Sequence, residues 1–226
     1  YESYGHNYLP NLDLPRRWGP LEYRLKTNHL GFRDEYARTV PLRTNEYRIL
    51  FMGDSFTDGV GYDFKYTAIG QIAGELKKRN IDVLNAGVED YSPCIYYGKT
   101  RFLLADTKLH FDEMVCLIDV SDIANESQYA SASDSTAEIL PAPIMPVQPH
   151  HRTFSRWWRR HSVVVETAYR IKYRISPGIG ADNRAVQWTY DEKCWQDFGK
   201  YGAARSIEYM DKLAGVLKEN GIPAAE

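Results

Sequence analysis

The 226 residues carry 28 basic and 30 acidic side chains for a net charge of −2, with 43% hydrophobic and 26% charged residues. This is a globular composition, with room for one domain and a sizeable insertion. It excludes a global field that recruits nucleic acid or anionic membrane, and no run of about 18 apolar residues exists to span a bilayer.

Residues 1–45, rich in Pro, Asn, Arg and Tyr, show no sustained period and read as a wrapped arm. Regular structure is expected from Glu46. Tyr47 to Met52 is a short apolar run ended by Gly53-Asp54, the pattern of a buried parallel strand. After a polar, glycine-bearing stretch (Ser55 to Asp63), Ile69, Ile72, Ala73 and Leu76 recur at helical spacing. Asp82 to Ala86 reads as a second strand, Tyr96 to Leu109 as a second helix and Glu113 to Val120 as a third buried strand. Strand and helix alternating in this way predict βαβ crossovers and a doubly wound parallel sheet.

The alternation breaks after Asp122. Residues 127–153, with Pro141, Pro143, Pro146 and Pro149, read as an extended loop, and Phe154 to Ile175 as a basic, aromatic helix. That stretch, with Trp157 and Trp158 among its arginines, is expected to be a lid with snorkelling arginines rather than a nucleic-acid or membrane-surface element. His150-His151 has no Asp, Glu or Cys at ligand spacing, so no metal is expected there. Cys94, Cys116 and Cys194 form neither a disulfide framework nor a zinc pattern. A last helix is expected over Tyr201 to Glu219, with Ile207, Met210, Leu213, Ala214 and Leu217 on its apolar side. Ile222-Pro223 would lead into a further strand, so the fold is expected to be cut in mid-crossover.

Ligands of open parallel sheets bind at the carboxyl ends of the strands. Three polar clusters fall there: Gly53-Asp54-Ser55, Asn85 through Asp90, and Asp119 through Asp122. A serine that leaves a buried strand and opens a helix-bound loop is placed to act as a nucleophile, with backbone N–H groups nearby for an oxyanion. The same residues also suit a plain strand-to-helix turn with capping side chains. Asp119, Asp122 and Glu126 read first as structural caps of a strand end. A P-loop fails because Asp58 stands where the second Gly is required and no Lys follows. An aspartyl phosphatase fails because Phe56 stands two residues after Asp54 in place of a second Asp.

The wording of these clusters resembles the SGNH (GDSL-type) hydrolases. RILFMGDSFTDGVGY is similar to their first block, DVLNAGVEDYSP to the second, and VCLIDVSDIANE stands where the third belongs. TNHLGFRDEY is similar to a lead-in common in bacterial members. The likeness covers residues 27–126 well and the rest by position. It implies a three-layer α/β/α sandwich over residues 46–226, with an insertion at 127–195, after the arm of residues 1–45. It also implies a serine esterase acting on a small O-acyl ester of carbohydrate or lipid through an acyl-enzyme, without cofactor or metal.

Residue by residue, the resemblance makes Ser55 the nucleophile, with its own N–H facing the oxyanion, and Asp54 a loop-ordering acceptor. The oxyanion glycine of the second block corresponds to Asp90, with Gly87 as a substitute donor. The asparagine of the third block corresponds to Ser121, a hydroxyl in place of an amide. The family's Asp-x-x-His block, which supplies the base, is absent, which is read as truncation, so the fragment itself is expected to be inactive. Two rival expectations are O-acyl transfer to a polysaccharide and a non-catalytic carbohydrate- or partner-binding module. An extracytoplasmic location is expected from the family alone, and the oligomeric state is left open.

Overall fold

A computed structural model describes residues 5–133 and 184–223 of the chain. The expected basic helix, His150, His151 and most of the expected loop lie outside the described residues. Apart from Arg184, the described residues belong to one compact unit.

Regular structure begins earlier than the sequence reading places it. β1 (Asp13–Trp18) and β2 (Leu21–Lys26) form an antiparallel hairpin inside the expected arm. Its signal is in β2, where Leu21, Tyr23 and Leu25 alternate with charged residues and Tyr23 and Leu25 are buried.

The main sheet is parallel, with β3 (Tyr47–Gly53) at its centre between β4 (Ile81–Asn85) and β5 (Glu113–Leu117). The two faces of β3 feed two cores, as the two-residue period of a strand requires. Phe51, with Val83, packs on Ile69 of α2 (Ala68–Lys77). Leu50 and Met52, with Leu84, face a larger core built on α3 (Pro93–Ala105) and on the C-terminal helix, α5 below. Helices therefore cover both faces, and the chain is an α/β fold with three layers. Each expected strand and helix of this part is present, shifted by a few residues at its ends. β5, expected to be buried, has one described strand neighbour and is half-buried, with Leu117, Ile118 and Val120 exposed. Ile72 is the exception within α2, since it is exposed.

α4 (Asp122–Ser133) continues as helix into residues expected to be extended. The C-terminal α5 (Lys200–Glu219) packs on α3 and α4, with Met210, Leu213 and Leu217 of the expected apolar stripe facing the core, but Ile207 and Ala214 do not. Ile207 is 65% exposed and Ala214 is also exposed, whereas Gly202, Ser206, Leu213 and Leu217 are buried. The cause is close approach: a Cβ on Gly202 would stand 2.1 Å from the Ile123 carbonyl oxygen of α4. Small residues, not large apolar ones, make that contact. All three cysteines are free, and burial pushes the Cys94 and Cys116 thiols up to about 12. Among the described residues no helix is long and apolar enough to cross a membrane.

Candidate active site

At the carboxyl end of β3 the chain turns sharply into α1 (Ser55–Asp58), which Asp54 caps. The Asp54 carboxylate accepts the Phe56 N–H at 2.9 Å, satisfying a donor that a helix start leaves unpaired. α1 lies tight against two strand ends, and this explains the glycines beside it. A Cβ on Gly53 would stand 2.0 Å from Thr57 Oγ1, and one on Gly87 would stand 2.8 Å from Thr57 Cβ. Asn85, the last residue of β4, joins the two: its amide donates to the Thr57 carbonyl at 2.7 Å and its Oδ1 accepts the Gly87 N–H at 3.1 Å.

The strand order β4-β3-β5 makes the end of β3 a topological switch point, because the crossovers from β3 to β4 and from β4 to β5 pass over opposite faces. Ser55 sits there half-buried, and neither its hydroxyl nor its N–H has a hydrogen-bond partner among the described residues. Phe56 beside it is 75% exposed.

The underside of α1 holds charges that the sequence reading did not single out. Asp58 is buried and accepts from Arg33 Nη1 at 3.2 Å and from the Tyr8 hydroxyl at 2.8 Å. Burial pushes the Asp58 carboxyl up, and the Arg33 guanidinium opposes that shift. Arg33 arrives there because Asn28 Oδ1 accepts the N–H groups of Leu30 and Phe32, closing a turn whose Gly31 has φ +74°. The segment ahead of the first parallel strand thus builds the support of the Ser55 turn.

A second group stands between the ends of β3 and β5. Asp54, Asp119 and Asp122 each offer a carboxylate oxygen, and these lie within 4.8 Å of one another. They are the group among the described residues with donors suited to a cation. Glu126 is not one of them; its carboxylate caps the start of α3, accepting from Ser92 Oγ at 2.8 Å and from the Cys94 N–H at 3.0 Å. Asp122 is fully buried and accepts the Tyr96 hydroxyl at 2.7 Å and the Asp119 N–H at 3.1 Å. Burial pushes its carboxyl up to about 7, with the Tyr96 bond opposing and the charges of Asp54 and Asp119 adding. Burial also raises Asp54 above the usual carboxylate range.

The other candidates fall around these two groups. Ser121 touches Asp54, its Oγ standing 3.4 Å from Asp54 Oδ2, but its hydroxyl and N–H both donate to Asp119. Serving an oxyanion would require that hydroxyl to leave a carboxylate. The Gly87 N–H is committed to Asn85, so it is not a free donor. Asp90 is exposed and left-handed (φ +63°), a conformation that suits glycine and that Asp tolerates. The Asp90 carbonyl accepts the Tyr129 hydroxyl at 2.9 Å, and its N–H has no partner among the described residues. Trp188, which the sequence reading did not select, donates from its indole to the Val120 carbonyl at 2.9 Å and so steadies the loop bearing Ser121.

No described histidine bonds to Ser55. His6 Nε2–H donates to the Glu89 carbonyl at 2.7 Å, His29 Nδ1 accepts the Val40 N–H at 2.9 Å, and the His110 carbonyl accepts from Arg48 at the far end of β3.

No family model matches the chain, and no curated protein does. Solved structures do match. The SGNH-hydrolase family esterase AlinE4 is 14% identical over 80% of this chain and 100% of its own, at a TM-score of 0.31. A point mutant of the same esterase is 21% identical over 40% of this chain, which spans 49% of that structure, at a TM-score of 0.33. LAE5, described as an alpha/beta hydrolase enzyme from the metagenome of Lake Arreo, Spain, is 14% identical over 80% of this chain and 77% of its own, at a TM-score of 0.29. Likeness at this level leaves the reading of function to the site itself.

Proposed function

We propose that the protein is a serine-dependent hydrolase of small O-acyl esters, of carbohydrate or lipid, working through an acyl-enzyme. The observation that carries this reading is Ser55 at the switch point, first in its helix, with both hydroxyl and N–H unengaged among the described residues. Ser55 Oγ attacks the ester carbonyl, the alcohol leaves with a proton, and water then hydrolyses the acyl-serine. The N–H groups of Ser55 and Asp90 hold the oxyanion, Ser121 joining them if its hydroxyl turns from Asp119. Asp54 holds the turn in shape and takes no proton from Ser55, because its oxygens face Phe56 and Ser121. The base is a histidine outside the described residues. Neither cofactor nor metal is assigned.

The test is p-nitrophenyl acetate hydrolysis and fluorophosphonate labelling of the full-length protein beside Ser55→Ala. The serine variant is expected to lose all labelling and at least about 10⁴-fold in kcat. A folded wild-type protein that neither turns over nor labels overturns the hydrolase reading and leaves acyl transfer or binding alone.

A further inference from the structure

Three consecutive residues of the arm grip both halves of the proposed oxyanion site. The Tyr8 hydroxyl donates to Asp58 Oδ2 at 2.8 Å, at the far end of the helix that Ser55 begins. His6 holds the loop after β4 from both sides of Asp90: its Nε2–H donates to the Glu89 carbonyl at 2.7 Å, and its own carbonyl accepts the Tyr91 hydroxyl. Asn7, between them, accepts from Lys99 Nζ at 3.1 Å and donates to the Leu30 carbonyl at 3.2 Å. Lys99 is buried and also donates to the Ala86 carbonyl at 2.8 Å and to the Tyr91 oxygen at 3.1 Å, so the same ammonium ties arm, strand end and loop together.

We infer that His6 and Tyr8 are positioning residues, which clamp α1 and the 86–91 loop into one frame and so set the Asp90 N–H relative to Ser55. The inference rests on the proposed roles of Ser55 and Asp90. Its physical basis is leverage. Asp90 is exposed and left-handed, and its own contact among those described is the Tyr129 hydroxyl on its carbonyl. Its place is therefore set by its neighbours, Glu89 and Tyr91, and both are bonded to His6. Among the described residues Glu89 has one further tether, an ion pair with Arg16 of the hairpin at 3.5 Å that is partly exposed and correspondingly weak. Because an oxyanion donor acts only when aimed where charge develops, a misplacement of about 1 Å is enough to lower the rate about 100-fold. The arm thus acts as a strap on the site, although none of its described residues hydrogen-bonds to Ser55.

The experiment compares wild type, His6→Ala, His6→Gln and Tyr8→Phe in the full-length protein. It measures steady-state ester hydrolysis, thermal midpoint, and amide hydrogen exchange at residues 89–91. His6→Ala is expected to lower kcat about 10- to 100-fold with KM unchanged, and to speed exchange at residues 89–91. His6→Gln, whose side-chain amide can donate to the Glu89 carbonyl in place of Nε2–H, is expected to restore most of the rate. Tyr8→Phe, a mild change, should lower kcat in the same sense without unfolding the protein. Unchanged kcat in both His6→Ala and Tyr8→Phe overturns the inference, as does a loss in His6→Ala that glutamine does not restore. If wild type shows no Ser55-dependent turnover, the hydrolase reading is what fails. Exchange then decides the clamp alone: faster exchange in His6→Ala keeps it, and unchanged exchange overturns it.

Discussion

Arg33→Met is expected to lower the unfolding free energy by about 3–5 kcal/mol, the usual range for removing one partner of a buried ion pair. Both Arg33 and Asp58 have fully buried side chains, 3.2 Å apart. The guanidinium also donates to the Tyr62 carbonyl and lies 5.2 Å over the Tyr23 ring, so it joins α1, the loop that follows it and the hairpin. Methionine fills much of the volume but leaves Asp58 with the Tyr8 hydroxyl as its remaining bond. The carboxyl must then take a proton or stay charged without a counter-ion, and either state is costly. Asp58→Asn in the same background should return part of the loss, because a neutral amide needs no cation. The double variant is therefore expected to be more stable than the sum of the single changes by at least about 1 kcal/mol. Urea unfolding followed by tryptophan fluorescence measures all four proteins. An Arg33→Met protein within about 1 kcal/mol of wild type would show that the pair contributes little.

That pair marks the boundary of what one sequence reveals. The three parallel strands were legible because each is an apolar run closed by a turn residue, as in Tyr47 to Gly53. The serine turn was legible from the same grammar, since Gly53-Asp54-Ser55 follows directly on a buried strand. Partnerships across distance were not. Arg33 and Asp58 stand 25 positions apart, and nothing in either neighbourhood says that they meet. Asp54 likewise joined Asp119 and Asp122 only once β3 and β5 were paired, whereas the sequence suggested Glu126 as their companion. The face of α5 was legible in its C-terminal half, at Met210, Leu213 and Leu217, but not in its first turns. Hydrophobic periodicity looks for large side chains, but this helix is drawn in by Gly202 and Ser206, which are buried because they are small. The hairpin could have been read: Leu21, Tyr23 and Leu25 alternate cleanly, and the surrounding prolines and arginines masked the period.

Asp122 should make the stability of the wild-type protein fall as pH rises through the range from about 4 to 7. Its carboxyl is pushed from 3.8 to about 7 in the folded protein, chiefly by burial. Below pH 4 both folded and unfolded states hold the proton, so the contribution is fully present. Between the two values the unfolded chain releases its proton while the folded one keeps it, and stability declines with each unit of pH. At about 1.4 kcal/mol per unit, the displacement corresponds to about 4 kcal/mol at most. A smaller loss, about 2–4 kcal/mol, is expected because the titration of Asp122 is coupled to the carboxylates beside it. Asp122→Asn removes the titration and keeps the shape, its carbonyl accepting from Tyr96 and Asp119 while its amide stands where Oδ1 has no partner among the described residues. Against wild type, this variant is therefore expected to gain stability as pH rises from 4 to 8, and the two unfolding curves measured in urea should separate. Parallel curves over that range would mean that Asp122 is already ionised in the folded protein. A buried Asp122 would then add a negative charge beside the Ser55 turn at neutral pH, a field that opposes a developing oxyanion and weighs against ester chemistry there.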